Sequence, residues 1–259
     1  MHKILISIVS CIAIGPLSAG MNKATAEWFS TKTVLSSAEK LETVIVMKID
    51  KGWHTYWENP GEGGLRLSLK AELPVGWELG EIQYPAPIRF MTGELPGFGY
   101  EGSVRFPVTV TPPENFKGEI PDLSAKLTWL TCNDESCIPG NSELNLTPAQ
   151  TEGIVSKAYK DLPQEIPGAH LSLVLDGKTV TLKLTLPEDS DIDPTTYELF
   201  PATEEIVDPS ARITFVKDPT IVHTWTSTWP VNEYCDSAPD SFTLVLKKEG
   251  KASLKITTK

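Results

Sequence analysis

The sequence is poor in the residues that metal and acid–base chemistry draw on, with four histidines, four methionines and four cysteines in 259 residues. It contains no Ser-His-Asp grouping, glycine-rich phosphate loop or HExxH helix, so hydrolase and nucleotide-binding functions have no support. Basic residues are scarce as well. Lys and Arg number 23 against 34 Asp and Glu, a formal net charge of −11. Nucleic-acid binding takes most of its affinity from Lys and Arg on phosphates, so that class is excluded too. Beyond the N-terminus no apolar run reaches the roughly 18 residues that a membrane helix requires. The mature chain is therefore expected not to span a membrane.

Such apolar continuity as exists lies at the start. Met1-His2-Lys3 is a short positive segment, Ile4 to Ile14 is compact and apolar, and two small-residue cleavage sites follow, Ser18 to Gly20 and Ala24 to Ala26. That order reads as a secretory signal peptide over residues 1–26. Cys11 would leave with it. Cys132, Cys137 and Cys235 remain, an odd number for an oxidising compartment. Cys132 and Cys137 are near neighbours expected to pair, and Cys235 is left over, read as a buried thiol.

The rest reads as β structure. Thr43 to Ile49, Leu65 to Leu73, Val104 to Val110 and Ser124 to Cys132 are short alternating or β-branched runs separated by Gly- and Pro-rich turns. Thr151 to Pro163 breaks the pattern with helix formers. A second β series follows: a hairpin from His170 to Leu186 turning at Asp176-Gly177, a strand at Ala211 to Val216, and a hairpin from Ser241 to Thr257 around Glu249-Gly250. The expected fold is all-β, with two immunoglobulin-like β-sandwich domains (27–150 and 168–259) joined by a helical linker (151–167). Trp53, Trp57, Trp77, Trp129 and Phe106 are expected in the core. Trp225, Trp229 and Tyr234 surround Cys235 without picking out a ligand.

The cysteine pair carries the chemistry. Four residues typical of a hairpin tip, Asn133 to Ser136, separate the two thiols. As a staple the bridge is weak, since closing a loop of about six residues is worth roughly 2 kcal/mol. Zinc would need two more ligands from distant sequence, His54 among them, and a Cu(I) site would recruit Met91. Staple, metal site and redox pair all remain open on the residues alone.

Several segments in order resemble a known family: Lys51 to Gly64 (KGWHTYWENPGEGG), Ile82 to Phe90, Gly97 to Val110 and Leu127 to Gly140 (LTWLTCNDESCIPG). The family is that of the N-terminal periplasmic domain of the thiol:disulfide interchange protein DsbD, with its ScsB-like members. Tyr197 to Ala211 resembles the opening of the second β region in those members. The resemblance implies an immunoglobulin-like, periplasmic domain whose cysteines exchange thiol for disulfide with periplasmic partner proteins, in the manner of a protein-disulfide reductase. It makes Cys132 and Cys137 the redox pair, with Cys137 forming the mixed disulfide, and needs no cofactor. It places His54 and Tyr56 along the active site and a cap in the loop Arg89 to Tyr100. Phe90, Phe98 and Tyr100 are the cap candidates, Phe98 favoured, with Gly93, Gly97 and Gly99 allowing the loop to lift. His54, with an ordinary pKa near neutrality, is read either as a base for a thiol or as aromatic packing. The sequence spaces its cysteines by four residues where DsbD has five, and it contains neither the membrane-embedded nor the thioredoxin-like domain. The electrons are therefore expected from a separate membrane-embedded reductase. The alternatives are an interaction module with a structural disulfide and a copper-binding, copper-tolerance protein.

Overall fold

The structure is a computed structural model that describes residues 22–36, 39–148 and 153–258. The N-terminal half begins with β1 (Ala24–Ser30), β2 (Val34–Leu35), β3 (Leu41–Ile49), β4 (His54–Gly61), β5 (Ser68–Glu72) and β6 (Glu78–Leu79). It continues with β7 (Ile88–Thr92), β8 (Leu95–Tyr100), β9 (Ser103–Thr111), β10 (Gly118–Glu119), β11 (Ser124–Cys132) and β12 (Cys137–Pro148). Ten of these strands form one sheet, nine of them in the order β6-β9-β3-β1-β12-β11-β4-β8-β7, with β5 paired to β11 off that path. The long β12 is the joint of an immunoglobulin-like sandwich. Cys137 to Asn145 pair antiparallel with β11, and Leu146 to Pro148 pair parallel with β1. Trp28, Ile45, Trp57, Phe98, Phe106, Leu127 and Trp129 fill the core. Trp57, Trp77, Trp129 and Phe106 are thus core residues, and Trp53 packs against them.

The proposed signal segment lies outside the described residues up to residue 21. Ala24 to Ala26, the second small-residue site, belongs to β1 and pairs with Ile49, Lys48 and Met47.

The helix α1 (Ile154–Lys160) packs on the sheet. Val155 and Ala158 are buried against Val44 and Val46 of β3, and the Tyr159 hydroxyl lies 3.0 Å from Thr109 Oγ1 on β9. Strand β3 is therefore covered on both faces, which explains why Val44-Ile45-Val46-Met47 is an unbroken apolar run and not an alternating one.

The C-terminal half holds β13 (Gln164–Glu165), β14 (His170–Asp176), β15 (Thr179–Thr185), β16 (Glu198–Pro201), β17 (Val216–Lys217), β18 (Thr224–Pro230), β19 (Thr243–Lys247) and β20 (Leu254–Thr257). They form two four-stranded sheets, β13-β20-β19-β16 and β14-β15-β18-β17. Val180, Leu182, Leu184, Trp225 and Trp229 face Leu199, Leu244, Leu246 and Ile256 in one core. The strand expected at Ala211 to Val216 shrinks to Val216 and Lys217. Ile213 and Phe215 reach the core from a loop, because burial and not pairing made that run apolar.

The two halves touch through the reverse face of β16 and β19. Phe200 and Val245, which alternate with the second core's Leu199, Leu244 and Leu246, join the first core instead. Phe200 packs edge-on against Trp57 and Phe98, with centroids 6.3 and 5.8 Å away.

Candidate functional site

Strand register decides which side chains share a face. Cys132 is paired with Cys137 across the β11–β12 hairpin and with His54 on β4. Residues directly opposite in an antiparallel ladder project from the same face. Alternation adds Tyr56, which faces Gly99 on β8, and the β7–β8 register adds Gly97 with Phe90 opposite it. The other face carries Thr131, Thr55, Tyr100, Phe98 and Arg89, and it looks into the core or toward the C-terminal half.

Cys132 and Cys137 form a disulfide, with Cα atoms 4.1 Å apart. The tip between them is built by Asn133, whose Oδ1 accepts from the backbone of Glu135 (3.0 Å) and of Ser136 (2.8 Å). These bonds hold the reversal in a short side-chain-mimicked turn. The two sulfur-bearing residues differ in access. Cys132 is 0 % exposed, whereas Cys137 is exposed.

Beside the pair the outward face is unusually dry. His54 is 5 % exposed and Tyr56 1 %, although both point away from the sandwich core. The Phe90 ring covers them, with its centroid 3.6 Å from that of His54 and 5.5 Å from that of Tyr56. It gets there by crossing two glycines. A Cβ on Gly97 would meet the Phe90 ring at 2.6 Å, and one on Gly99 would meet it at 2.9 Å and the Thr55 carbonyl at 1.9 Å. Thr92, at the end of β7, completes the cover: its Oγ1 lies 2.8 Å from His54 Nε2 and 3.5 Å from the Tyr56 hydroxyl.

Burial pushes the His54 pKa down to about 4, against a smaller upward pull from Asp134. The expectation of a titration near neutrality is corrected accordingly. At neutral pH the imidazole is uncharged and a weak base, so aromatic packing and a hydrogen bond to Thr92 describe it. Burial also raises the Tyr56 pKa.

Of the three cap candidates, only Phe90 lies on the side of the cysteines. Phe98 is 0 % exposed in the core beside Trp57, and Tyr100 packs on Phe106 with its hydroxyl donating to the Pro85 carbonyl at 2.7 Å. Residues Arg89 to Tyr100 are not a loop but the hairpin β7–β8, turning at Gly93-Glu94 with Gly93 at φ 60°. The signal for this was present. A hairpin turning at Gly93 puts Phe90 opposite Gly97 and sends Phe98 to the other face.

Met91 alternates with Phe90 and so leaves the face of the cysteines. Among the described residues, no group of three or more His, Cys, Asp or Glu is placed to hold a metal ion. Cys235 is half-buried at the edge of the second core, its thiol donating to the Ser237 carbonyl at 3.4 Å. Trp225 and Trp229 are core residues, and Tyr234 is exposed. No helix of the described residues is long and apolar enough to cross a membrane.

Residues 24–149 match the family model described as thiol:disulfide interchange protein DsbD, N-terminal. Among solved structures the chain is similar to the N-terminal periplasmic domain of ScsB from Proteus mirabilis, with a TM-score of 0.59 and 21 % identity over 91 % of each chain. At that identity the likeness speaks to the fold. A comparison with curated protein sequences found no match.

Proposed function

We propose that the chain, whose residues 24–149 match the family model of the DsbD N-terminal domain, is a periplasmic thiol–disulfide exchange module working through Cys132 and Cys137. In the reduced state the Cys137 thiolate attacks a sulfur of a partner protein's disulfide. A Cys137–partner bond forms, and the partner's other sulfur leaves as a thiolate that takes a proton from water. The Cys132 thiolate then attacks the Cys137 sulfur, which restores the Cys132–Cys137 disulfide and expels the partner's second thiolate. Two electrons have passed to the partner. A dithiol on a separate membrane-embedded reductase returns them by the same two steps in reverse.

The observation that carries this reading is the asymmetry of the pair beside a buried aromatic cluster on an outward face. Cys137 is exposed and Cys132 is sealed, as attack first and resolution second require. Phe90 is the lid, and His54 and Tyr56 are the floor on which it rests. A neutral His54 does not stabilise a thiolate by charge. Its part is to hold the lid's ring.

The test uses the two single-cysteine variants with a model disulfide such as oxidised glutathione. Cys132→Ala, which keeps Cys137, forms the mixed disulfide rapidly, and Cys137→Ala, which keeps Cys132, reacts far more slowly. Equal rates would remove the assignment of roles. No reaction from either variant would leave a structural bridge.

A further inference from the structure

The lid strand is held from behind. Strand β7 ends the path of the ten-stranded sheet, and among the described residues its one strand partner is β8. Phe90 and its neighbour Arg89 point to opposite faces of this edge strand, and among the described residues the polar partners of the Arg89 side chain are all in the C-terminal half. Its Nη1 donates to the Pro209 carbonyl (2.9 Å), its Nη2 donates to the Leu199 carbonyl (2.8 Å), and its Nε lies 3.2 Å from Glu198 Oε1. The guanidinium also sits over the rings of Phe98 (4.8 Å) and Phe200 (5.2 Å). The side chain is 8 % exposed. Two residues earlier, the Pro87 carbonyl accepts from Lys247 Nζ at 2.6 Å.

We infer that Arg89 is a positioning residue for the disulfide. Through it the C-terminal half pins the lid strand and so sets how often Phe90 lifts from His54 and opens a way to the buried Cys132 beside it. A planar fork with three separate acceptors fixes a backbone far more tightly than a single ammonium does. An edge strand without a second ladder has little else to stop it peeling. The C-terminal half thereby acquires a job at the site without contributing a residue to the chemistry. This inference rests on Phe90 being a lid, as the proposed function has it.

The experiment measures, in the full chain, the rate at which excess dithiothreitol reduces Cys132–Cys137. Phe90→Ala alone tests the lid, and it accelerates reduction. Arg89→Ala accelerates it roughly tenfold, the factor expected when opening no longer breaks one charge-assisted hydrogen bond. In the Phe90→Ala background the same change has no further effect, because there is no lid left to pin. Arg89→Lys, which keeps charge but loses the fork, falls between. Should Arg89→Ala fail to fold, Arg89→Lys and Lys247→Met keep the test alive, each accelerating reduction only while Phe90 is present. An Arg89 effect of equal size with and without Phe90 overturns the inference, as does a wild-type rate in Arg89→Ala when Phe90→Ala is fast. A wild-type rate in Phe90→Ala itself overturns the lid and the anchor together.

Discussion

The outward faces of the two halves invite comparison. In the C-terminal half, β15 sends Val180, Leu182 and Leu184 into the core and Thr179, Thr181, Lys183 and Thr185 outward, the ordinary alternation of a half-wet sheet. In the N-terminal half, β4 also alternates, yet its outward residues His54 and Tyr56 are as dry as its core residue Trp57. Something had to cover them, and the cover is Phe90 reaching over two glycines. A buried aromatic on the solvent side of a sheet thus marks the site. The polar outer face of β15 has no counterpart to it among the described residues. The hairpins differ in the same sense. The β14–β15 turn is a two-residue reversal at Gly177, φ 57°, whereas the β11–β12 tip carries a disulfide bridge.

The largest expected effect comes from filling the glycine floor. A Gly99→Ala methyl would meet the Thr55 carbonyl and the Phe90 ring, so β4 and β8 must separate. The expected loss is about 3 kcal/mol or more in denaturant unfolding. Gly177→Ala, whose Cβ meets nothing within 4 Å, costs only about 1 kcal/mol, from its positive φ. Similar losses at both positions would break the comparison.

Removing the bridge comes next. The Cys132→Ala/Cys137→Ala double variant stays folded and loses about 2 kcal/mol, the chain-entropy value for so short a loop. Unfolding of the N-terminal half would make the bridge a structural staple after all.

The smallest effect is a pH slope. His54 is depressed in the folded state to about 4, so the unfolded chain binds its proton first, and stability falls as the pH drops from about 6.5 toward 4. Glu58 has the opposite sign. Burial raises its carboxyl to about 7, opposed by Lys255 and Arg66 and reinforced by Glu204. Its contribution is full below about 4.5 and is lost as the pH rises through 7. Over the shared window the two slopes offset each other. Glu58→Gln therefore uncovers a midpoint that climbs by a few degrees between pH 4.5 and 6.5, in thermal melts where the wild type stays nearly flat. A flat Glu58→Gln profile would show that His54 is not held neutral.

Much of this was legible in the residues. Ser124 to Cys132 is strand β11, the turns at Gly177 and Gly250 fall inside their hairpins, and alternation alone put His54 and Tyr56 on one face. The hairpin β7–β8, which puts Phe90 and Phe98 on opposite faces, was not foreseen because Gly93, Pro96, Gly97 and Gly99 read as a loop. Three of these four are strand residues, kept small or pinned because a ring from the neighbouring strand lies over them or the chain bends there. The helix was foreseen, but its docking on β3 was not, since nothing in its seven residues names the strand they cover. Arg89 could not be singled out at all. Its acceptors are three residues more than 100 positions away, which only the fold brings together.

The central claim is that the Cys132–Cys137 bridge opens and closes in use. Its reduction potential in the full chain, measured by equilibration in thiol–disulfide buffers, tests this most directly. The account predicts a value above about −300 mV, in the range of exchange proteins, and a value well below it would mark a permanent structural bond.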